Sequence, residues 1–325
     1  MYNARPLPLL LGLLALSLIG TWFNLTTGPV PLNPLDSLQH PGTLDAQILW
    51  QLRLPRAANA FVTGALLGVA GALMQVLLRN PLADPYILGV SGGASVGALL
   101  TIMAGAGTFA LQSGAFAGAL ISMLLVFSLA HGRGSWDTTR LLLTGVVLAA
   151  GWGALISLLL ALGANTQLQG MLFWLMGDLS FAGTPLAGGL LLILLLPVTL
   201  AIAPALNLLG AGERQAAALG VAVGRLRILV YVLASLATAS AVTQAGNIGF
   251  VGLIAPHMLR LAGARDHRIL MPAVLLLGGT LLSVADALSR LVVEPRQLPV
   301  GVLTALLGVP LFLFLLYRSR PSQDE

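Results

Sequence analysis

Between Arg56 and Arg79 the chain reads Ala57-Ala58-Asn59-Ala60-Phe61-Val62-Thr63-Gly64-Ala65-Leu66-Leu67-Gly68-Val69-Ala70-Gly71-Ala72-Leu73-Met74-Gln75-Val76-Leu77-Leu78, with no charged side chain inside it. An α-helix rises about 1.5 Å per residue, so a run of this length covers the ~30 Å hydrocarbon core of a bilayer. Nine other apolar runs share the pattern, at roughly 7–24, 87–105, 109–130, 141–163, 186–203, 227–245, 248–262, 271–291 and 299–317. The expected fold class is all-α: a polytopic membrane protein with about ten transmembrane helices, in a single transmembrane domain over 1–325.

Composition supports the same reading. Of 325 residues, 57% are hydrophobic and 8% charged, with a mean hydropathy of +0.94. A soluble domain is about one quarter charged, so this chain lacks the polar residues to cover a water-facing surface. At ~20 residues per span, the length leaves room for roughly eight to eleven crossings. The first run follows Arg5 and leads into Gly20-Thr21-Trp22-Phe23 without a small-x-small cleavage site. It reads as an uncleaved first helix rather than a signal peptide.

Arginine sets the orientation. Ten spans put both termini on one side, and cytoplasmic termini place twelve of the 16 basic residues inside: Arg5, Arg79, Arg133, Arg140, Arg214, Arg225, Arg227, Arg260, Arg265, Arg268, Arg318 and Arg320. Arg53, Arg56, Arg290 and Arg296 face outward. Such an excess on one side is the positive-inside pattern. The four outward arginines are either ordinary loop residues or a basic rim for an acidic partner.

Absences exclude several chemistries. Without cysteine there is no disulfide, thiolate ligand or thiol nucleophile. All 16 basic residues are arginine, and a P-loop requires its lysine, so this chain holds no ATP site of that kind. A Schiff-base lysine is excluded too. The four histidines form no ligand set, because His257 and His267 flank the Arg260 region while His40 and His131 fall on opposite sides of the membrane. No bound metal or nucleic acid is expected.

Small residues and loops carry the remaining signals. Gly64-x-x-x-Gly68, Gly93-x-x-x-Gly97 and Gly114-x-x-x-Gly118 have the spacing that lets helix backbones approach closely, and packing within the chain is the expected use. Asn80-Pro81-Leu82-Ala83-Asp84-Pro85 makes a rigid turn, and 131–140 forms a second polar loop. In the longest loop, at about 205–226, Glu213 opens an alanine run that ends at Gly220, which suits a short helix outside the membrane. That helix is either a knob for another protein's groove or a plain connector.

Charges inside spans are functional candidates by default. Asp286 and Arg290 stand four apart, the spacing at which a helix pairs its own charges. Asp178 and Glu294 fall at the outer edge, where each reads as a solvated carboxylate. Two classes of function remain. An ion-coupled carrier needs acidic groups near the midplane, whereas a permease driven by separate subunits needs a pathway and docking surfaces. Sparse midspan charge and the loop features favour the second.

Several motifs now combine. The chain resembles the permease family of bacterial ABC importers for ferric siderophores, haem or vitamin B12. The resemblance rests on Arg53-Leu54-Pro55-Arg56, on 64–75, on 80–94, and on Phe173-Trp174-Leu175-Met176-Gly177. It continues in 249–257, in Asp266-His267-Arg268 and in 298–304, running from about residue 50 to the C-terminus. It implies a permease homodimer in the bacterial inner membrane, with the pathway between two copies. Two ATPase subunits, which bind ATP and magnesium, would dock below, and a periplasmic binding protein would deliver the chelate from above. By the same resemblance, Arg53, Arg56 and Arg290 fall at the binding-protein docking positions. Glu213, Ala217 and Gly220 fall on the ATPase coupling loop, and Asn80, Leu82, Thr138 and Thr139 at the cytoplasmic gate. Arg296 has no clear family counterpart. Asp178 stands where the family often has a small residue, which would favour a cationic or metal-bearing ligand.

Overall fold

The computed structural model describes residues 6–28, 30, 32–40, 42–130, 138–293 and 296–318, and the regular structure in them is helical throughout. In chain order the helices are α1 (Pro6–Thr26), α2 (Pro34–Gln39), α3 (Leu44–Ile48), α4 (Leu54–Leu77), α5 (Val90–Met103), α6 (Thr108–Ala130), α7 (Thr138–Leu162) and α8 (Asn165–Met176). They continue with α9 (Leu186–Ala201), α10 (Ala203–Ala211), α11 (Glu213–Ala218), α12 (Val223–Ala245), α13 (Val251–Leu261), α14 (His267–Leu291) and α15 (Val300–Arg318). Each of the ten apolar runs coincides with one of these helices. Arg5, His131, Arg133, Glu294 and Arg320 lie outside the described residues, as does the side chain of Arg318.

Among the described residues, six helices are long and apolar enough to cross a membrane: α1, α4 with the helical residues leading into it from Leu44, α6, α7, α12 and α14. The α9–α10 pair, bent by 62°, would make a seventh. Val90–Met103, Val251–Leu261 and Val300–Phe314 are shorter apolar helices.

The centre of the bundle is α4. Every residue from Thr63 to Leu77 is buried, and α4 packs against α12, α13 and α14. In lipid the tails are as apolar as leucine, so helices associate through close packing rather than hydrophobic expulsion. The glycine pattern supplies the closeness. A methyl group on Gly64 would stand 2.2 Å from the Gly278 carbonyl oxygen, and one on Gly71 would stand 1.8 Å from that of Gly252. The Gly93 and Gly114 motifs lock α5 onto α6 in the same way, with Gly93 against Gly118 and Gly97 against Gly114. All three spacings thus serve contacts within the chain. Ser17 on α1 adds a polar tie, its hydroxyl lying 2.7 Å from that of Thr280 on α14.

Two features depart from the sequence expectation. The interval after the fifth run contains a further helix, α8, which buries Met171 and Trp174. Its Gln167 donates to the carbonyls of Ile102 and Met103, capping the end of α5. The 205–226 loop is also mostly helical. The chain bends at Ile202, continues as α10 with Pro204 in the first turn, and only then forms the expected short helix, α11. Proline is tolerated in a first turn, where its missing N–H would have no partner, so it can start a helix just after another has ended.

Candidate functional site: a buried charge network at one end and a basic cleft at the other

The first site lies where α1 ends, α4 begins and α14 ends. Asp286 is fully buried. Its Oδ1 accepts from Arg56 Nε at 3.0 Å and Nη2 at 2.9 Å, and its Oδ2 accepts from Asn24 Nδ2 at 3.0 Å. Arg290 Nη2 stands 3.1 Å from Oδ2, so the expected i,i+4 pair forms and Arg56 joins it. A carboxylate without water needs this many donors to offset its lost hydration.

The arginines also complete α1. Its last carbonyls have no intrahelical partner. Arg53 Nη1 donates to Leu25 O at 2.8 Å and Thr26 O at 3.0 Å, and Arg53 Nη2 donates to Val30 O. Arg290 donates to Thr27 O at 2.6 Å and Asn24 O at 3.1 Å. Positive charge at a helix C-terminus also complements its dipole. A π-helical turn, Leu49–Arg53, leads into α4 and sets Arg53 at this position.

Burial distinguishes the three arginines from one another. The Arg53 and Arg290 side chains point into the protein, at 6% and 5% relative exposure, because the orphan carbonyls of α1 draw them in. Arg56 remains partly exposed, with Nη1 donating to Gln297 Oε1 at 3.2 Å, and Arg296 lies open on the surface. The structure nonetheless brings the three together: Arg53, Arg56 and Arg290 line one cleft of about 470 Å³, with Asn59, Ser180 and Gln297. Asp178, expected as a solvated carboxylate at the mouth, is buried. Its Oδ1 accepts from Ser180 N at 2.7 Å and caps the short Leu179–Phe181 turn.

At the opposite end, α11 exposes Ala217, and the turn after it exposes Leu219 and Gly220. Gly220 has φ +85° and open space around it. Glu213 is engaged within the chain: it pairs with Arg79 at 3.0 Å and with Arg227. Arg79 adopts a left-handed backbone, φ +47°, directly after α4, a geometry uncommon for a residue with a Cβ. The short helix is therefore tied to both α4 and α12.

Asn80 Oδ1 accepts from Leu82 N at 2.9 Å, shaping the turn that leaves Leu82 exposed. Asp84 caps the next turn, accepting from Tyr86 N at 2.8 Å, and burial pushes its carboxyl up to about 6. Thr138 opens α7 at this same end, because Gly145 packs on the Ile87 carbonyl. Thr139 beside it is exposed, while the Thr138 side chain lies outside the described residues.

Sequence reasoning passed over Asn24, Arg79 and Leu219. Asn24 carried a signal, a lone amide in an apolar run. Arg79 was legible only as an inside charge, and the role of Leu219 depends on how the turn after α11 faces.

A helical bundle in which at least six of the described helices are long and apolar enough to cross a membrane has the architecture of a multi-pass membrane protein. The chain belongs to the FecCD transport family, whose model matches residues 14–318. It is 43% identical over 282 residues to the ABC transporter permease protein YvrB of Bacillus subtilis, covering 84% of this chain and 79% of that one. It is 38% identical over 315 residues to the vitamin B12 import system permease protein BtuC of Klebsiella pneumoniae, covering 96% and 94%. A solved structure described as an inward-facing metal-chelate-type ABC transporter superposes with a TM-score of 0.84 at 33% identity, covering 96% of this chain and 99% of that one.

Proposed function

We propose that this chain is the membrane-spanning subunit of an ATP-driven importer carrying a metal chelate: a ferric siderophore, haem or cobalamin. The supporting observation is end-to-end likeness, in sequence and fold, to a metal-chelate-type transporter. Likeness to a vitamin B12 permease over nearly the whole chain supports a large, rigid chelate as cargo.

In this reading ten helices cross the bacterial inner membrane and both termini are cytoplasmic. Chelate leaves a periplasmic binding protein at the cleft lined by Arg53, Arg56 and Arg290. Arg56 meets acidic side chains of that protein, with Arg290 sharing the Asp286 behind it and Arg53 bracing the end of α1 beside it. A second copy of the chain packs on this one. The exposed apolar side chains of α7, among them Val146, Val147 and Leu158, supply a surface for that copy and for lipid. Two ATPase subunits bind ATP and magnesium and grip α11 through Ala217, Leu219 and Gly220. Glu213 passes their movement to α4 through Arg79, and the inner gate at Asn80, Leu82, Thr138 and Thr139 opens.

The alternative is an ion-coupled carrier. It finds little support, because Asp286, a carboxylate within a span, is already held by two arginines. Proteoliposomes discriminate between the two. Uptake of ferric siderophore, haem or cobalamin should require the ATPase, ATP and binding protein together. Uptake by the chain alone under a proton or sodium gradient would refute the proposal.

A further inference from the structure

A second cleft, of about 860 Å³, opens at the end that carries α11, between the ends of α4 and α13, the start of α14, and α10. Arg260, Arg265 and Arg79 line it, with His257 and His267. Arg260 is anchored on Gln75 Oε1, and Arg79 is shared with Glu213. Arg265 is exposed, on the turn that precedes α14. Asp266 also lines the cleft, but Asn207 Nδ2 at 2.8 Å and Arg268 N at 2.9 Å engage its Oδ1. Those donors hold the Asp266 carboxyl below the usual range, so it counts as one negative charge against Arg260 and Arg265, with Arg79 already paired to Glu213.

The histidines show what the cleft lacks. His257 and His267 are 8% and 5% exposed, and the Nε2 atom of each is buried without a partner. Nδ1 of His267 lies 2.6 Å from Asn207 Oδ1, an amide oxygen that can only accept, so Nδ1 carries the proton. Nε2 of the neutral ring is then a vacant acceptor. A buried polar atom without a partner is destabilising, so two of them beside one cationic cleft call for a ligand that can bond to both.

We propose that this cleft is a phosphate-binding site: Arg260 and Arg265 bind the oxyanion, the bare Nε2 of His267 accepts from its P–OH, and His257, in the tautomer with its proton on Nε2, donates to another of its oxygens. Hydrogen phosphate, or a phosphomonoester bearing one proton, can donate its P–OH to a bare Nε2 while its other oxygens accept from arginine. Guanidinium suits this chemistry, because its fixed fork of donors matches phosphate geometry. The phosphate comes either from an acidic lipid headgroup at the membrane edge or from solution. The site is independent of the transported cargo, so its test neither uses nor requires uptake.

The test uses the full chain in phosphatidylcholine nanodiscs, titrated with inorganic phosphate by calorimetry. One saturable site per chain is expected, with Arg265→Gln and Arg260→Gln each weakening it at least tenfold. Arg265 is exposed and lies outside the helices, so R265Q keeps the fold, checked by an unchanged melting temperature. A parallel set of nanodiscs contains phosphatidylglycerol or phosphatidic acid. Loss of phosphate binding there, with one retained lipid per chain in native mass spectra that R265Q removes, identifies the headgroup as the source. Undiminished phosphate binding identifies the solution ion. No phosphate binding and no retained lipid in the wild type, or binding that both variants leave unchanged, overturns the proposal.

Discussion

Asp286 shows how much one side chain can hold in this protein. It joins α14 to α4 through Arg56 and to α1 through Asn24, while Arg290 spans its carboxylate and the last carbonyls of α1. Removing one partner of a buried pair leaves the others charged and dry, which is destabilising by ~3–5 kcal/mol. Asp286→Ala should therefore lower the melting temperature of the detergent-purified protein sharply, with Asp286→Asn intermediate. A wild-type melting temperature in the alanine variant would contradict the network. Asp84 behaves in the opposite sense. Its folded-state carboxyl sits near 6, above its ordinary 3.8, so the folded chain holds that proton more tightly than the unfolded chain. Stability from this group is full below about pH 4 and is lost as pH rises through about 6. Asp84→Asn keeps the cap on Tyr86 N and removes the buried charge. It should raise stability at pH 7.5 by about 1–2 kcal/mol, discounted from the ~3 kcal/mol of the full shift because the carboxyl is only partly sequestered. Melting curves of the two proteins should converge at pH 4.

Helix pairs are set by contacts that leave no room for a side chain. The Gly64 approach to Gly278 brings backbone to backbone, so Gly64→Val forces α4 and α14 apart. Overpacking of this kind is destabilising by ~1–3 kcal/mol or more, and size-exclusion chromatography should show aggregated or degraded protein. Gly12 on α1 has open space, and Gly12→Val should be silent in the same assay. The proposed ATPase contact at α11 is tested differently. Ala217→Trp adds bulk to the exposed face of α11 without touching the Glu213 bridges. It should leave the fold intact and uncouple ATP hydrolysis from uptake in the reconstituted transporter. Full coupling in that variant would remove α11 as the ATPase contact.

At the scale of the whole molecule, burial separates Arg53 and Arg290 from Arg56 and Arg296. Arg296 reaches the surface outside the Asp286 network, and reversing it to Glu should weaken binding-protein association by roughly 10- to 100-fold, the value of one charge-assisted pair of ~1.5–3 kcal/mol, whereas Arg56→Glu should also cost stability, because it sets a second carboxylate against Asp286. Surface plasmon resonance on the reconstituted permease reads this directly. Arg53→Glu and Arg290→Glu should instead cost stability first, since each would face carbonyl oxygens of α1. Equal loss of binding in all four variants, with melting temperatures unchanged, would return the rim to the simpler picture of exposed docking arginines.

Local chemistry made most of the helices readable. Uninterrupted apolar runs such as 57–78 can satisfy their backbone groups in lipid only as helices, so their positions follow from composition and length. The Asp286–Arg290 spacing, the Gly-x-x-x-Gly pairs and the α11 region were legible for the same reason, since each is a relation along one helix. Relations between helices were not. That Arg53 turns inward to cap α1, that Arg56 shares Asp286, and that Asp178 is buried all depend on which ends of distant segments meet. The bend at Ile202 and the helix at 165–176 belong there too, because packing against neighbours holds them against weak local preference. An arginine read along the chain is an inside or outside charge. Its partner, and hence its work, is set by the unpaired carbonyls and carboxylates that folding brings within 3 Å of it.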